Sequence, residues 1–446
     1  MSFLRWLYPA LGIKRWLALA LLGILLTSAG IAVTLEGQFL GYLENQITQL
    51  TLNLFGSVAH SAGGILIILA GIALILFSFA NAVRSLIRSA FPEAKGQMKN
   101  LYQRQYLRRG PRIVVIGGGT GLSVLLRGLK EYTSNITAIV SVTDDGGSSG
   151  RLRGQFGILP PGDLRNCLVA LADTEPVMER LFNYRFQGGK ELAGHNLGNL
   201  LITAMADMSG NFETAINEIS KVMAIRGRVL PSTLDDVVLA AELQDGTKIM
   251  GESVISKTSK PIKKVFTIPE ISNPLPEALE AIREADAIVF GPGSLYTSII
   301  PNLLVPGIVE AIEKSEALKI YVCNVMTQPG ETRDFTASDH LKALYRHSAN
   351  GLANYIIVND QVVPDYFSAK YALEGAKPVE IDREKLAKLN VKVLNAPLIK
   401  QSDYIRHDSY KLASFILRLV LDKRKVTPFF NIVDQYLLWD RIAKSE

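Results

Sequence analysis

Residues 112 to 124 read RIVVIGGGTGLSV, a short apolar, β-branched run that stops in glycines and resumes as a helical pattern at Leu122. A buried strand that ends this way aims the unbonded N–H groups of the following helix at whatever lies above it. In an α/β protein that is where phosphate is held. Gly118, Gly119, Thr120 and Gly121 are therefore the first candidate ligand residues, the bland alternative being a plain strand-to-helix turn.

The same alternation continues down the chain. Apolar runs at 136–142, 287–290, 319–323 and 355–358 are separated by helical patterns, among them 164–172, 197–208 and 409–421. Short apolar strands alternating with helices predict a Rossmann-like α/β fold, a mostly parallel sheet with helices on both faces. Asp245-Gly246 between the runs 237–243 and 248–254 adds a β-hairpin.

The first ninety residues follow another rule. Residues 16–34 and 62–83 are two runs of spanning length without a charged side chain, which predicts a transmembrane hairpin over residues 1–90. A cleaved signal peptide is the alternative for the first run, though a second run follows it. Arg5, Lys14 and Arg15 precede the pair and Arg84, Arg88, Lys95 and Lys99 follow it, so both termini and the main domain are expected in the cytoplasm, at the cell membrane. Residues 1–112 hold eleven Lys/Arg against three Glu, net +8, and the whole chain is +6, leaving −2 for residues 113–446. The positive charge thus marks a basic linker, 91–111, suited to anionic headgroups, and no nucleic-acid footprint is expected on the folded domain. That domain is expected over 112–427, followed by a tail, 428–446, without an assigned role. Cys167 and Cys323, far apart in apolar surroundings, read as buried thiols.

The polar strand ends supply the remaining candidates. Asp144 and Asp145, in TDDGGSSGR, suit a ribose contact, Mg²⁺ beside a phosphate, or a loop cap. In PPGDLRN, Asp163 is placed as a helix N-cap, and Arg165 and Asn166 fall in the first turn, where an anion would meet them. His195, Asn196 and Asn199 open the next helix with more polarity than packing needs, and no partner His stands at metal-ligand spacing. Gly291, Pro292, Gly293 and Ser294 form a second strand-loop-helix unit, so a ligand is expected across a topological switch point. Asn324, Thr327, Gln328 and Gly330 lie in a third polar strand end, fit for a base or sugar. Leu122 stands where a dinucleotide fingerprint has its third glycine, which disfavours an oxidoreductase. No residue pattern identifies a nucleophile.

Taken together, IGGGTGLSVLLRGLK, TDDGGSSGRLR, GILPPGDLRNCLVALAD, GHNLGNLLI, GPGSLYTSIIPNLLVPGI, NVMTQPGET and YIRHD resemble the YvcK family, the gluconeogenesis factors, within the CofD-like superfamily. The resemblance implies a UDP-sugar-binding regulatory protein concerned with cell shape and wall synthesis during gluconeogenic growth. It makes Gly118 to Gly121 and Gly291 to Ser294 diphosphate-facing loops and Asp144 and Asp145 a polar or metal-facing pair. It also draws in Arg406, a planar donor fork freed because Asp408 or Ser409 caps the last helix, and Tyr371 as a stacking ring. The alternative it carries is a metal-dependent transferase using a nucleotide diphosphate-linked donor, as the CofD enzymes are. Cell-wall or carbon-metabolism proteins and a second copy of the chain are the expected partners. The two spans stand as an addition to the general family pattern.

Overall fold

The computed structural model describes residues 13–34, 49, 60–90, 107–173, 176–401 and 404–423. The expected tail at 428–446, the linker at 91–106 and most of the connection between the apolar runs lie outside these residues. The chain divides into two compact units, Met1–Gln103 and Arg104–Glu446.

In the first unit both apolar runs are helical, as α1 (Ile13–Thr34) and α2 (His60–Ala90). Among the described residues no single helix is long and apolar enough to cross a membrane; the apolar stretches there are Leu19–Ile31 and Ile68–Asn81. The two helices meet at small residues. A Cβ on Gly71 would lie 2.8 Å from the Thr27 nitrogen, and one on Gly23 would lie 3.0 Å from the Gly71 carbonyl oxygen.

The second unit is built on β1 (Ile113–Gly117), β2 (Ile136–Val140), β3 (Arg228–Pro231), β4 (Val238–Leu243), β5 (Lys248–Met250), β6 (Ile262–Ile268), β7 (Ala287–Phe290), β8 (Leu318–Val322), β9 (Tyr355–Asn359), β10 (Lys392–Ala396), β11 (Ile399–Gln401) and β12 (Ile405–His407). Seven of these form one sheet in the order β10-β9-β8-β7-β1-β2-β3, every neighbouring pair parallel. Along β1, Ile113 and Val115 enter one core while Val114 and Ile116 enter the other. Both faces are buried, so no polar alternation appears in the sequence. The first core is closed by α3 (Gly119–Leu129), α5 (Gly162–Leu171), α6 (Leu197–Ser209) and a C-terminal helix, with α4 (Gly147–Phe156) packed on α6; the second is closed by α7 (Pro276–Glu284), α8 (Ile308–Lys314) and α9 (Ala337–Arg346). The C-terminal helix is α10 (Ser409–Lys423).

The hairpin predicted around Asp245-Gly246 is β4-β5, with Gly246 at φ +85. Two details differ from the sequence reading. The second arm stops at Met250, because Gly251 at φ +95 turns the chain into the short helix Glu252–Ile255. A third antiparallel strand, β6, pairs with β4 over its whole length. Its sequence, IKKVFTI, places lysines where a buried parallel strand would carry apolar residues. The helix after the first glycine loop also starts earlier than Leu122, at Gly119.

Candidate functional site

The strand order runs outward from β1 to β2 and β3, then returns to β7 beside β1 and continues to β10. The carboxyl ends of β1 and β7 therefore flank the switch point of the sheet, where open α/β sheets bind ligands. The two glycine loops touch there. A Cβ on Gly121 would stand 2.6 Å from the Pro292 carbonyl oxygen, and one on Gly293 would stand 3.4 Å from the Gly118 oxygen. Glycine is what lets the backbones close on each other.

Above the loops is a cavity of about 360 Å³. Of the residues singled out from the sequence, Gly118, Gly119, Thr120, Gly121, Pro292, Gly293, Ser294, Asn324, Thr327, Gln328, Tyr371 and Arg406 line it. Their positions are held by polar ties. Asn324 Nδ2 donates to the Gly293 oxygen at 2.9 Å, and Gln328 Nε2 donates to Ser294 Oγ at 2.8 Å. The Thr327 hydroxyl accepts the Lys377 N–H at 3.0 Å. The Tyr371 hydroxyl accepts the Ile405 N–H at 3.1 Å, so the ring lines the cavity while its oxygen fixes β12. Arg406 is the exposed residue of β12, between buried Ile405 and His407. Asp408 caps α10 through the N–H groups of Tyr410 and Lys411, as the sequence led one to expect. Gly291, at φ +79, shapes the turn beneath the cavity. A larger cavity of about 770 Å³, lined by Arg108, Arg112, Arg226 and Arg228 among others, lies at the amino-terminal ends of β1 and β2, the end of a parallel sheet that does not carry ligands.

The carboxylates beneath the first loop are arranged differently from the sequence reading. Asp163 is not a helix N-cap; Pro161 holds that position without a side-chain bond. Its carboxylate instead accepts the Gly119 N–H and lies directly under Gly118, whose Cβ would stand 2.5 Å from Oδ2. Part of the residue remains exposed, yet its carboxyl end is enclosed; burial first, then the Asp144 charge, push it up to about 7. Asp144 Oδ1 accepts the Gly146 N–H at 2.9 Å. Asp145 turns away and accepts the Ser253 N–H at 2.8 Å, fastening the loop to the antiparallel subdomain. Glu252, from that subdomain, is pushed up to about 9 by burial and then by Asp163 and Asp144. Glu331 is held above the usual carboxylate range by burial; it accepts Tyr296 N–H at 2.9 Å and Thr297 Oγ1–H at 2.7 Å, anchoring the second loop's helix. Among the described residues no three His, Cys, Asp or Glu side chains converge to hold a metal unaided.

Arg165, Asn166, His195, Asn196 and Asn199 do not line the cavity. Asn196 is the N-cap of α6, its side chain accepting the Asn199 N–H at 3.1 Å. Arg165 Nη2 donates to Asn166 Oδ1. His195 Nδ1 faces Ser148 Oγ at 3.1 Å. Gly330 also lies outside the cavity, packed so tightly on the Ser256 backbone that no Cβ would fit.

The family model for 2-phospho-L-lactate transferase CofD matches residues 113–399, from the start of β1 to the first residue of β11. The putative gluconeogenesis factor of Clostridium acetobutylicum is 41% identical over 457 residues, covering 100% of this chain and 98% of its own length. The chain belongs to the YvcK family of gluconeogenesis factors, in the CofD-like superfamily. The putative gluconeogenesis factor of Nostoc sp. PCC 7120 is 46% identical over 94% of this chain and 92% of its own. The gluconeogenesis factor of Bacillus subtilis is 52% identical but covers 70% of this chain against 98% of its own. A crystal structure of a UPF0052 family member from Bacillus halodurans matches with a TM-score of 0.67 at 52% identity, covering 69% of this chain and 99% of that one. The N-terminal segment is thus shared with some family members and is an addition relative to others, whose almost entire length matches about 70% of this chain.

Sequence reasoning missed His407 in the lining of the cavity and Glu252 beside the carboxylates beneath it. His407 lines the cavity with Nε2 buried and unpartnered, and burial pushes it down to about 4 against a hydrogen bond to the Cys323 carbonyl. Its only sequence signal is adjacency to Arg406. Glu252 carries none, since it stands 107 positions after Asp145 and only the fold brings it close to Asp163 and Asp144.

Proposed function

We propose that the chain binds a UDP-sugar at the switch-point cavity and acts as a membrane-anchored cytoplasmic regulatory protein tied to cell shape and wall synthesis. The observation that carries this reading is the contact of the two glycine loops under one cavity that Tyr371 and Arg406 also line. Helix-start N–H groups favour the diphosphate, the guanidinium adds a charged fork, and the ring offers a stacking face. The volume of about 360 Å³ falls in the range of small-molecule sites. The test is to incubate the full chain with a panel of nucleotides and UDP-sugars, following melting temperature and mass-resolved products together. A shift selective for UDP-sugars without a new product is the expected result; turnover of a nucleotide donor would sink the regulatory reading.

Asp144 and Asp163 favour a second reading, a metal-dependent transferase of the kind the matching family model describes. Two carboxylates beside a phosphate-binding loop fit a magnesium ion that completes its shell with phosphate oxygens and water. Such an ion would neutralise charge on a diphosphate leaving group. Asp145 does not fit, because it is spent on Ser253. In this reading the chain's own part is to orient the diphosphate with the loops and the distal group with Arg406.

For the anchor, the support is that α1 and α2 expose Leu21, Leu25, Leu69, Leu76 and Phe79, side chains that hydrocarbon solvates better than water. Membranes from cells making the chain, washed in alkaline carbonate, should retain it. Full release into the wash would remove the anchor from the proposal.

A further inference from the structure

We propose that Arg165, His195, Arg185 and Arg151 form a second oxyanion subsite, outside the switch-point cavity, that takes the phosphate or carboxylate group of a small ligand. Arg165 carries the argument. It sits in the first turn of α5, only 9% exposed, and its Nε and Nη1 are buried without a hydrogen-bond partner. A buried guanidinium with two unused donors is costly unless an acceptor completes it. Asp163 and Asp144 act on its charge, but neither accepts from those two nitrogens.

The other members converge on the turn before α6. Arg151 Nη2 donates to the Ala193 oxygen at 3.0 Å and Arg185 Nη1 donates to the Gly194 oxygen at 2.6 Å, so one turn anchors both exposed guanidiniums beside His195. Ser148 Oγ accepts the Asn196 N–H at 3.2 Å and faces His195 Nδ1 at 3.1 Å, which holds the imidazole beside the same turn. Burial, then Arg151 and Arg185, hold His195 below its ordinary value, and burial, then Arg185, lower Arg165. Planar guanidiniums match the oxygens of a phosphate monoester or a carboxylate. None of the four residues lines the nucleotide cavity, so the subsite serves a second ligand and does not depend on the UDP-sugar reading.

The test titrates the full chain with sodium phosphate and, separately, sodium acetate at constant ionic strength, by calorimetry. Saturable binding of either anion supports the subsite and tells which group it takes. Arg165→Lys, which keeps charge but loses the fork, should weaken binding roughly ten- to hundredfold. Arg185→Gln, at an exposed position, should weaken it several-fold. Arg406→Ala should leave it unchanged while weakening the UDP-sugar shift. The proposal is overturned if neither anion binds, if Arg185→Gln binds like the parent, or if UDP-sugar competes the anion away.

Discussion

Two buried titrating side chains close to the glycine loops pull the stability of the chain in opposite directions with pH. Asp163, with a folded value of about 7 against 3.8, favours the folded state while protonated, so its contribution falls as pH rises from 4 to 7. His407, with a folded value of about 4 against 6.5, favours the folded state while neutral, so its contribution is full above 6.5 and lost as pH falls toward 4. Each shift is worth about 3 to 4 kcal/mol at full extent. Over this window the parent's two slopes oppose each other, and single variants separate them. Asp163→Asn should tilt denaturant-derived stability upward with pH relative to the parent, and His407→Gln should tilt it downward. Parallel curves for all three proteins would contradict these assignments. Glu252→Gln should stabilise the chain by roughly 1 to 3 kcal/mol at pH 7, since the folded carboxyl already holds its proton at about 9 while the unfolded one does not.

The elements that matter most are the two loops and β12. Gly121→Ala would drive a Cβ to 2.6 Å from the Pro292 backbone, so the loops must part. The expected outcome is loss of nucleotide-dependent thermal stabilisation with most of the folding cooperativity kept, read in one melting series with and without ligand. Tyr371→Phe leaves the ring but removes the tie to Ile405 that holds the strand carrying Arg406. That bond is worth about 1 kcal/mol, so binding should weaken roughly fivefold. A Phe variant that binds as tightly as the parent would show that β12 is positioned without the hydroxyl. Element by element, strands buried on both faces were legible as apolar runs, β7 to the residue at 287–290. Short or half-polar strands, β3, β6 and β10, were not, because their stability comes from neighbours and not from their own composition.

At the scale of the molecule, ligand binding to the folded state alone should raise stability by about 2.7 kcal/mol at a hundredfold excess over Kd. Arg406→Ala should lose most of that shift, and an unchanged shift would remove Arg406 from the site. The sequence by itself determined the five central strands of the sheet, the glycine loops and their placement at a switch point, because these depend on local patterns of period and backbone freedom. It did not determine which polar residues share a site. Twelve of the candidates line one cavity, whereas Arg165 and His195 form a separate group and Gly330 packs on a backbone. Asp163 reads locally as a helix cap and becomes the carboxylate under Gly118 only once α5 packs against α3. A capping residue and a site residue look alike in sequence. The difference lies in burial and in long-range partners such as the Gly119 N–H and the Asp144 charge, which only the folded chain brings within reach.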